Sequence, residues 1–395
     1  MATHAAEGTA IRAAGRDVVV IQDSSELVLG GREARRNGYG PVGKGGSLSG
    51  LLLHAALTLE AGTGAAIGLL DAQVKNRYGE RPKHRRARKT ADKESQRWID
   101  CTRRAAEVLS AARSITGVSD RESDLYEHFI GRPPDMHLIV RACQNRKIKT
   151  PHNSGATSLF PFADSLPVQG GFIAAIPAAP GRKARLAQLE IRFSIVELCK
   201  PRHGARGLPD TVVLTLVDVR ETSKPDDSKP IHWRLLTTHA VTSFEEARNI
   251  VDLYRLRWRI EEYFRILKTA GFNIEDADIS EPRAMTNLVA AVAIAAVTVM
   301  QLVQARDGTT GQSIGDAFDP ADQPLLEALS ADLDGKTARQ QNPHPKGSLA
   351  FAAWVIGRLG GWTGYYGKPG PLVIRRGLDD FQRIKYGATL RLQNV

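Results

Sequence analysis

The sequence predicts an α/β protein. Its first 80 residues read as strands, with three apolar runs joined by short turns. Helical and strand periodicities then alternate, and a β-rich stretch is followed by two long helical patterns. The 395 residues correspond to two or three domains at ~150 residues each. With 42% hydrophobic and 25% charged residues, the composition is that of a globular chain and excludes wholesale disorder, collagen and coiled coil.

The elements follow in order. Val18 to Gln22 is a short buried run, broken by Asp23-Ser24-Ser25. A glycine-rich loop, Gly38 to Gly46, precedes strand-like runs from Leu48 to Leu59 and Ala65 to Val74, with Gly62-Thr63-Gly64 between them. This reads as an antiparallel meander. Arg81 to Lys89 holds six basic residues plus His84. It reads as a solvated loop and as a candidate contact for a DNA backbone. From Ser95 to Ala112, Trp98, Cys101, Ala105 and Leu109 recur at helical steps. Ile115 to Val118 is a strand ending in Ser119-Asp120-Arg121-Glu122; Leu125 to Ile130 is a short helix and His137 to Ala142 another strand.

Residues 146–240 read as a mostly β insertion. Ser243, with Glu246 three positions on, is a capping-box pattern that opens a helix running to about Thr269 and stopped by Gly271. A second helix spans Pro282 to Arg306. Asp307 to Pro345 is polar and reads partly as linker. Ser348 to Leu392 holds short helical patterns around an aromatic turn, Gly360 to Tyr366. The expected division is therefore 1–145, the β insertion 146–240, completing helices 241–306, and a small helical C-terminal segment 307–395.

Lys and Arg number 54 against 43 Asp and Glu, a net charge of +11, and the pI is near 9.6. The excess points to a polyanion, nucleic acid first and an anionic membrane surface second, or to a merely basic surface. Cys101, Cys143 and Cys199 are far apart and form no C-x-x-C pattern. A disulfide framework or cysteine zinc site is not expected, and a reducing cytoplasm fits. No signal-peptide pattern opens the chain. The longest apolar stretch, the 16 residues Leu288 to Val303, falls short of the ~20 needed to cross a bilayer and reads as a core helix.

The most informative segment runs from Tyr254 to Lys268. At ~100° per residue, Arg257, Trp258, Glu261, Arg265 and Lys268 all fall within about 60° of Tyr254, while Leu253, Leu256, Ile260, Phe264 and Leu267 gather on the adjoining face. Such a charge ladder can be nothing more than i,i+4 pairs at ~0.2–0.5 kcal/mol each. Against this, Tyr and Trp are costly on a solvated face, and Asp23 and Asp120 sit at the ends of apolar strands. Three carboxylates, Asp23, Asp120 and Glu261, can hold two divalent cations for in-line attack on a phosphodiester. Oxygen-only ligands suit Mg²⁺ or Mn²⁺.

Tyr254-x₂-Arg257-x₃-Glu261-x₆-Lys268 resembles the Y-x₂-R-x₃-E-x₆-K signature of cut-and-paste transposases of the insertion-sequence-four family. Ile21-Gln22-Asp23-Ser24-Ser25 is similar to that family's first catalytic Asp motif and Asp120-Arg121-Glu122-Ser123-Asp124 to its second; Gly357 to Trp362 resembles its C-terminal segment. The resemblance implies an RNase H-like mixed sheet flanked by helices, with a D-D-E triad of Asp23, Asp120 and Glu261 holding two Mg²⁺ or Mn²⁺ ions. It implies double-stranded DNA, transposon ends and target, as partner, cut through a hairpin intermediate and joined by strand transfer. It also implies a homodimer in the DNA complex, no membrane, and a place on the prokaryotic nucleoid.

By position, Arg257 and Lys268 would hold phosphates and Tyr254 would orient the hairpin backbone. Trp233 matches the position that stacks a flipped base, or is a strand residue capping the core. Trp258, Arg265 and Arg141 match DNA-contacting positions. Family members carry a helical DNA-binding domain ahead of the first Asp, whereas Asp23 lies 22 residues from Met1. The sequence therefore also admits a truncated, inactive fragment that binds DNA or dimerises as an inhibitor. A plain RNase H-like nuclease has no need of the Tyr-Arg-Glu-Lys face.

Overall fold

The computed structural model describes residues 2–30, 37–79, 94–150, 153–176, 183–202, 207–223, 225 and 229–393. The basic run Arg81 to Lys89 lies outside them. Helix α1 (Ala2–Ala13) precedes β1 (Asp17–Val28), β2 (Gly40–Val42), β3 (Leu48–Glu60) and β4 (Ala66–Lys75). Next come α2 (Gln96–Val108), β5 (Ser114–Ser119), α3 (Tyr126–Ile130) and β6 (Met136–Arg141). The β-rich stretch supplies β7 (Lys147–Thr150), β8 (Asn153–Ser158), α4 (Leu159–Ser165), β9 (Gly170–Ile176), β10 (Arg185–Cys199), β11 (Thr211–Glu221) and β12 (His232–Thr237). The remainder is helical: α5 (Phe244–Arg255), α6 (Arg259–Arg265), α7 (Pro282–Ala305), α8 (Gln323–Leu333), α9 (Leu349–Leu359) and α10 (Pro371–Gln393).

All twelve described strands belong to one mixed sheet. Its order is β2-β3-β1-β5-β6-β12-β11-β10-β7-β8, with β4 also on β3 and β9 on β10. The part β4-β3-β1-β5-β6 has β1 flanked by an antiparallel and a parallel neighbour, the RNase H-like arrangement. The β-rich stretch does not form a sheet of its own, because β12 pairs with β6 from Leu235↔Arg141 to Thr237↔Ile139.

β1 is buried on both faces. Val19 and Ile21 enter one hydrophobic cluster with residues of α5, α6, α7, α9 and α10. Val18 and Val20 enter the other, with residues of α2, α3 and α4. The period-2 alternation of a strand thus sorts a continuous apolar run into two cores, one on each side of the sheet.

Four readings need correction. Ala2–Ala13 is a helix, not strand; small residues dock it, with Thr9 Oγ1 donating to the Leu69 carbonyl at 2.8 Å. Asp23-Ser24-Ser25 does not break β1, because these residues stay paired with Ala55, His54 and Leu53 of β3. The supposed linker contains α8, whose Leu326 joins the core, and the last helix is one 23-residue element rather than short pieces. Finally, α7 has 24 residues, enough by length and composition to cross a membrane. Its Met285, Val289, Ala293, Ala296 and Met300 are nevertheless buried inside this fold. The capping box at Ser243 and Glu246 and the stop at Gly271 are found as expected.

Candidate active site

β1 and β5 run parallel from Asp17↔Ser114 to Ile21↔Val118, where their pairing ends. Asp23 and Asp120 each lie two residues beyond that last rung. Two acids therefore stand at matching positions past the last parallel rung, Asp23 within β1 and Asp120 just after β5, where the parting strands open a crevice. Asp23 is anchored on β3, and its Oδ1 accepts from the Ser24 N–H at 2.7 Å. Asp120 precedes a 3₁₀ turn, Arg121–Ser123, and Ser123 Oγ donates to its carbonyl at 2.9 Å.

The signature helix crosses this crevice. A 3₁₀ turn, Leu256–Trp258, separates α5 from α6, and a π turn, Ile266–Ala270, follows α6. Ile260, Phe264 and Leu267 are buried as the apolar stripe requires. Arg257 is buried too, 6% exposed, and it bridges two of the acids: Nη1 lies 3.3 Å from Asp23 Oδ2 and Nη2 2.8 Å from Glu261 Oε1. Burial opposes the Arg257 charge, but the Tyr254, Asp120, Glu261 and Asp23 groups outweigh it and its pKa is raised.

Asp23 behaves in the opposite sense. Burial pushes its carboxyl up to about 6, opposed by the Ser24 N–H and Arg257 and helped by the nearby Asp120 and Glu122 charges. A carboxylate held partly desolvated among other carboxylates is a site where cationic charge is favourable. The donor set of Asp23, Asp120 and Glu261 is all oxygen, as Mg²⁺ or Mn²⁺ requires. The three acids share Arg257 as neighbour. Among the described residues no three acidic, His or Cys side chains are grouped so as to hold a metal ion. The donor chemistry of the set suits a divalent cation, while Glu261 is ion-paired with Arg257.

The other signature residues are disposed unequally. Tyr254 is not on a solvated face. It is buried, its hydroxyl 3.5 Å from Asp120 Oδ1 and its ring edge-on to Trp233 at 5.5 Å. Burial, with Asp120, pushes its pKa up to about 12. Trp233 is only 7% exposed and sits in the core cluster, yet it also lines a cleft of about 910 Å³ with Arg121, Arg141, Arg255, Trp258 and Arg259. Trp258 is exposed beneath the Arg257 guanidinium, 5.2 Å from its ring centre. Arg141 Nη2 donates to the His232 carbonyl at 3.1 Å. Arg265 is exposed at the end of α6. Lys268 lies in the π turn, donating to the Glu26 carbonyl and ion-paired with Glu275 at 3.2 Å. It is thus engaged on the β1 side of the site.

Arg121 was missed. It borders the large cleft and a smaller one of about 260 Å³, both shared with Arg141 and His232; its place directly after Asp120 was the available signal. Arg97 was missed as well: it reaches Ser24 Oγ at 3.0 Å and Glu122 at 3.0 Å from α2, and nothing in its local sequence marks it.

Paired acids on adjacent parallel strands of an RNase H-like sheet, faced by a helix with a third acid amid arginines, define a class: nucleic-acid phosphoryl-transfer enzymes. A family profile described as "Transposase DDE domain" matches residues 15–298. The chain belongs to that family, whose members are polynucleotidyl transferases that act on DNA with divalent metal ions.

Proposed function

We propose that this chain is a cut-and-paste transposase of the insertion-sequence-four type, with Asp23, Asp120 and Glu261 as its D-D-E triad. The observation that carries this is the matched placement of Asp23 and Asp120 beyond the last β1–β5 rung, with Arg257 tying Asp23 to Glu261. These three carboxylates would hold two Mg²⁺ or Mn²⁺ ions, which when bound supply Lewis-acid activation of the attacking oxygen and stabilisation of the leaving one.

The chain's own residues do the rest. Arg257 balances the acids through both of its Nη groups. Tyr254 holds its phenol neutral against Asp120, so it orients by hydrogen bonding rather than by charge. Arg121 and Arg141 line the cleft as cations for a DNA backbone, and Trp258, which also lines it, would meet a base there, worth ~1–3 kcal/mol when stacked. Trp233 forms the cleft floor, where a flipped base would meet its edge. Transposon ends would be opened through a hairpin and the freed 3′ ends joined to target DNA. A homodimer, with residues 307–395 contributing contacts, would hold two ends together.

The test uses a supercoiled plasmid carrying the DNA that flanks this coding sequence. Mg²⁺- or Mn²⁺-dependent cleavage with a hairpin product is expected, and Glu261→Gln should abolish it while leaving the fold and most DNA affinity intact. Equal cleavage by the variant would refute the assignment of Glu261.

A further inference from the structure

Beneath the two strand-end acids runs a chain of buried polar side chains that the proposed chemistry does not use. Ser24 Oγ meets His54 Nδ1 at 2.9 Å, and His54 Nε2 meets Gln22 Oε1 at 3.3 Å. Gln22 Nε2 donates to Thr102 Oγ1 at 3.1 Å, and Thr102 Oγ1 meets His128 Nε2 at 2.8 Å. His128 Nδ1 meets the Ser123 carbonyl at 3.2 Å, and Ser123 Oγ donates to the Asp120 carbonyl at 2.9 Å. Gln22, His54, Thr102, Ser123 and His128 are each at most 2% exposed. One end of the chain adjoins Asp23 in sequence, and the other closes the turn that carries Asp120.

The partners fix the direction of most of the protons. A carbonyl can only accept, so His128 carries a proton on Nδ1, while the Thr102 hydroxyl lies between the Trp98 carbonyl at 2.9 Å and His128 Nε2 at 2.8 Å. The Gln22 amide oxygen likewise assigns the His54 proton to Nε2, leaving Nδ1 to accept from Ser24. Arg97 Nε donates to Ser24 Oγ at 3.0 Å. The links therefore run the same way from the Arg97 cation as far as Thr102, the arrangement in which successive hydrogen bonds polarise and strengthen one another, and Thr102 joins them to His128 and the Asp120 turn. The direction from Ser24 to Gln22 holds only while the His54 imidazole is neutral. Burial lowers the His54 pKa to about 3 and the His128 pKa to about 4.

We propose that His54, Gln22, Thr102 and His128 are positioning residues that set the separation of Asp23 and Asp120, and through it the affinity of the site for a divalent cation. The proposal rests on the metal-site reading above. Thr102 is the decisive link, because it joins the half of the chain under β1 to the half under the Asp120 turn. Thr102→Val keeps the shape and removes the hydroxyl, leaving Gln22 Nε2 and His128 Nε2 unpartnered; Thr102→Ser restores the hydroxyl.

Mn²⁺ titration, read as free Mn²⁺ by electron paramagnetic resonance, tests this. Thr102→Val should bind Mn²⁺ about tenfold more weakly, the scale seen when an outer hydrogen-bond partner of a metal ligand is lost. Thr102→Ser should keep the parental affinity. Parental affinity in a folded Thr102→Val protein would overturn the proposal. If Thr102→Val does not fold, ¹⁵N-histidine spectra of the parent decide: Mg²⁺ should shift the His54 and His128 nitrogens in the parent and not in Asp120→Asn, and unmoved resonances would overturn it. The metal-site reading fails separately, and takes this proposal with it, if the parent binds Mn²⁺ no better than Asp120→Asn.

Discussion

Asp23→Asn should stabilise the metal-free protein at neutral pH and leave it unchanged in acid. In the folded chain burial raises the Asp23 pKa to about 6, against ~3.9 when unfolded. The sign follows from proton counting. Between these values the native state binds more protons than the unfolded state, so stability is fully present below pH ~4 and is lost as pH rises through about 6. At ~1.4 kcal/mol per unit, the full loss is on the order of 3 kcal/mol.

Asn cannot ionise and escapes that loss. It does place an amide against Arg257, which costs about 1 kcal/mol of hydrogen bonding. The net gain expected of the variant is about 2 kcal/mol at pH 7, closing to zero or slightly below by pH 4. Urea denaturation of parent and variant in chelator, from pH 4 to pH 8, reads the difference and cancels all other titrating groups. A gap that stays constant over this range, or widens toward acid, would refute the reasoning. Saturating Mg²⁺ at pH 7 should narrow the gap, because it binds the native parent selectively.

Other substitutions have expected outcomes as well. Arg257→Leu removes the cation between Asp23 and Glu261 and should cost about 3 kcal/mol at pH 7. The cost should shrink at pH 4.5, where Asp23 is protonated; a denaturation series at both pH values reads this. Asp124, fully buried, pairs with Arg146 at 3.1 Å and accepts from the Cys143 and Gln144 N–H groups. Asp124→Ala should therefore cost about 3–5 kcal/mol, seen as a lowered melting temperature. Ser243→Ala removes the cap of the signature helix and should cost about 1 kcal/mol by the same measurement. DNA affinity should fall steeply with added salt, and Arg121→Ala together with Arg141→Ala should flatten that slope in a fluorescence-anisotropy titration.

Features set by neighbouring residues were legible in the sequence. The Ser243–Glu246 box, the Gly271 stop and the Pro282 start act within one helical turn, and β3 and β5 were visible as apolar runs. Asp23 and Asp120 stand out in the sequence because each follows such a run. Features set by distant partners were not. Helix α1 buries Ala6, Thr9 and Ala13, residues too small to mark an apolar stripe. Asp23-Ser24-Ser25 looked like a break because only the facing strand β3 keeps it extended. The burial of Tyr254 depends on Trp233 of β12 and Asp120 of the β5 turn, and its position on the helix wheel could not disclose them. Thr102 and His128 belong to no motif; they become a connected pair only when α2 and α3 are folded onto the same side of the sheet.

The placement of the signature helix after every strand has a temporal consequence. Glu261 follows Asp120 by about 140 positions, and chains are made at ~5–20 residues per second. For roughly 7 to 28 seconds after Asp120 is added, each nascent chain therefore holds two of the three acids but lacks both Glu261 and the arginine that neutralises Asp23. A product that ends early, through a stop codon or a broken message, carries the same incomplete set. On the proposed reading, the ability to break DNA is withheld until more than three-fifths of the protein exists, and defective copies of the gene yield chains that cannot cut.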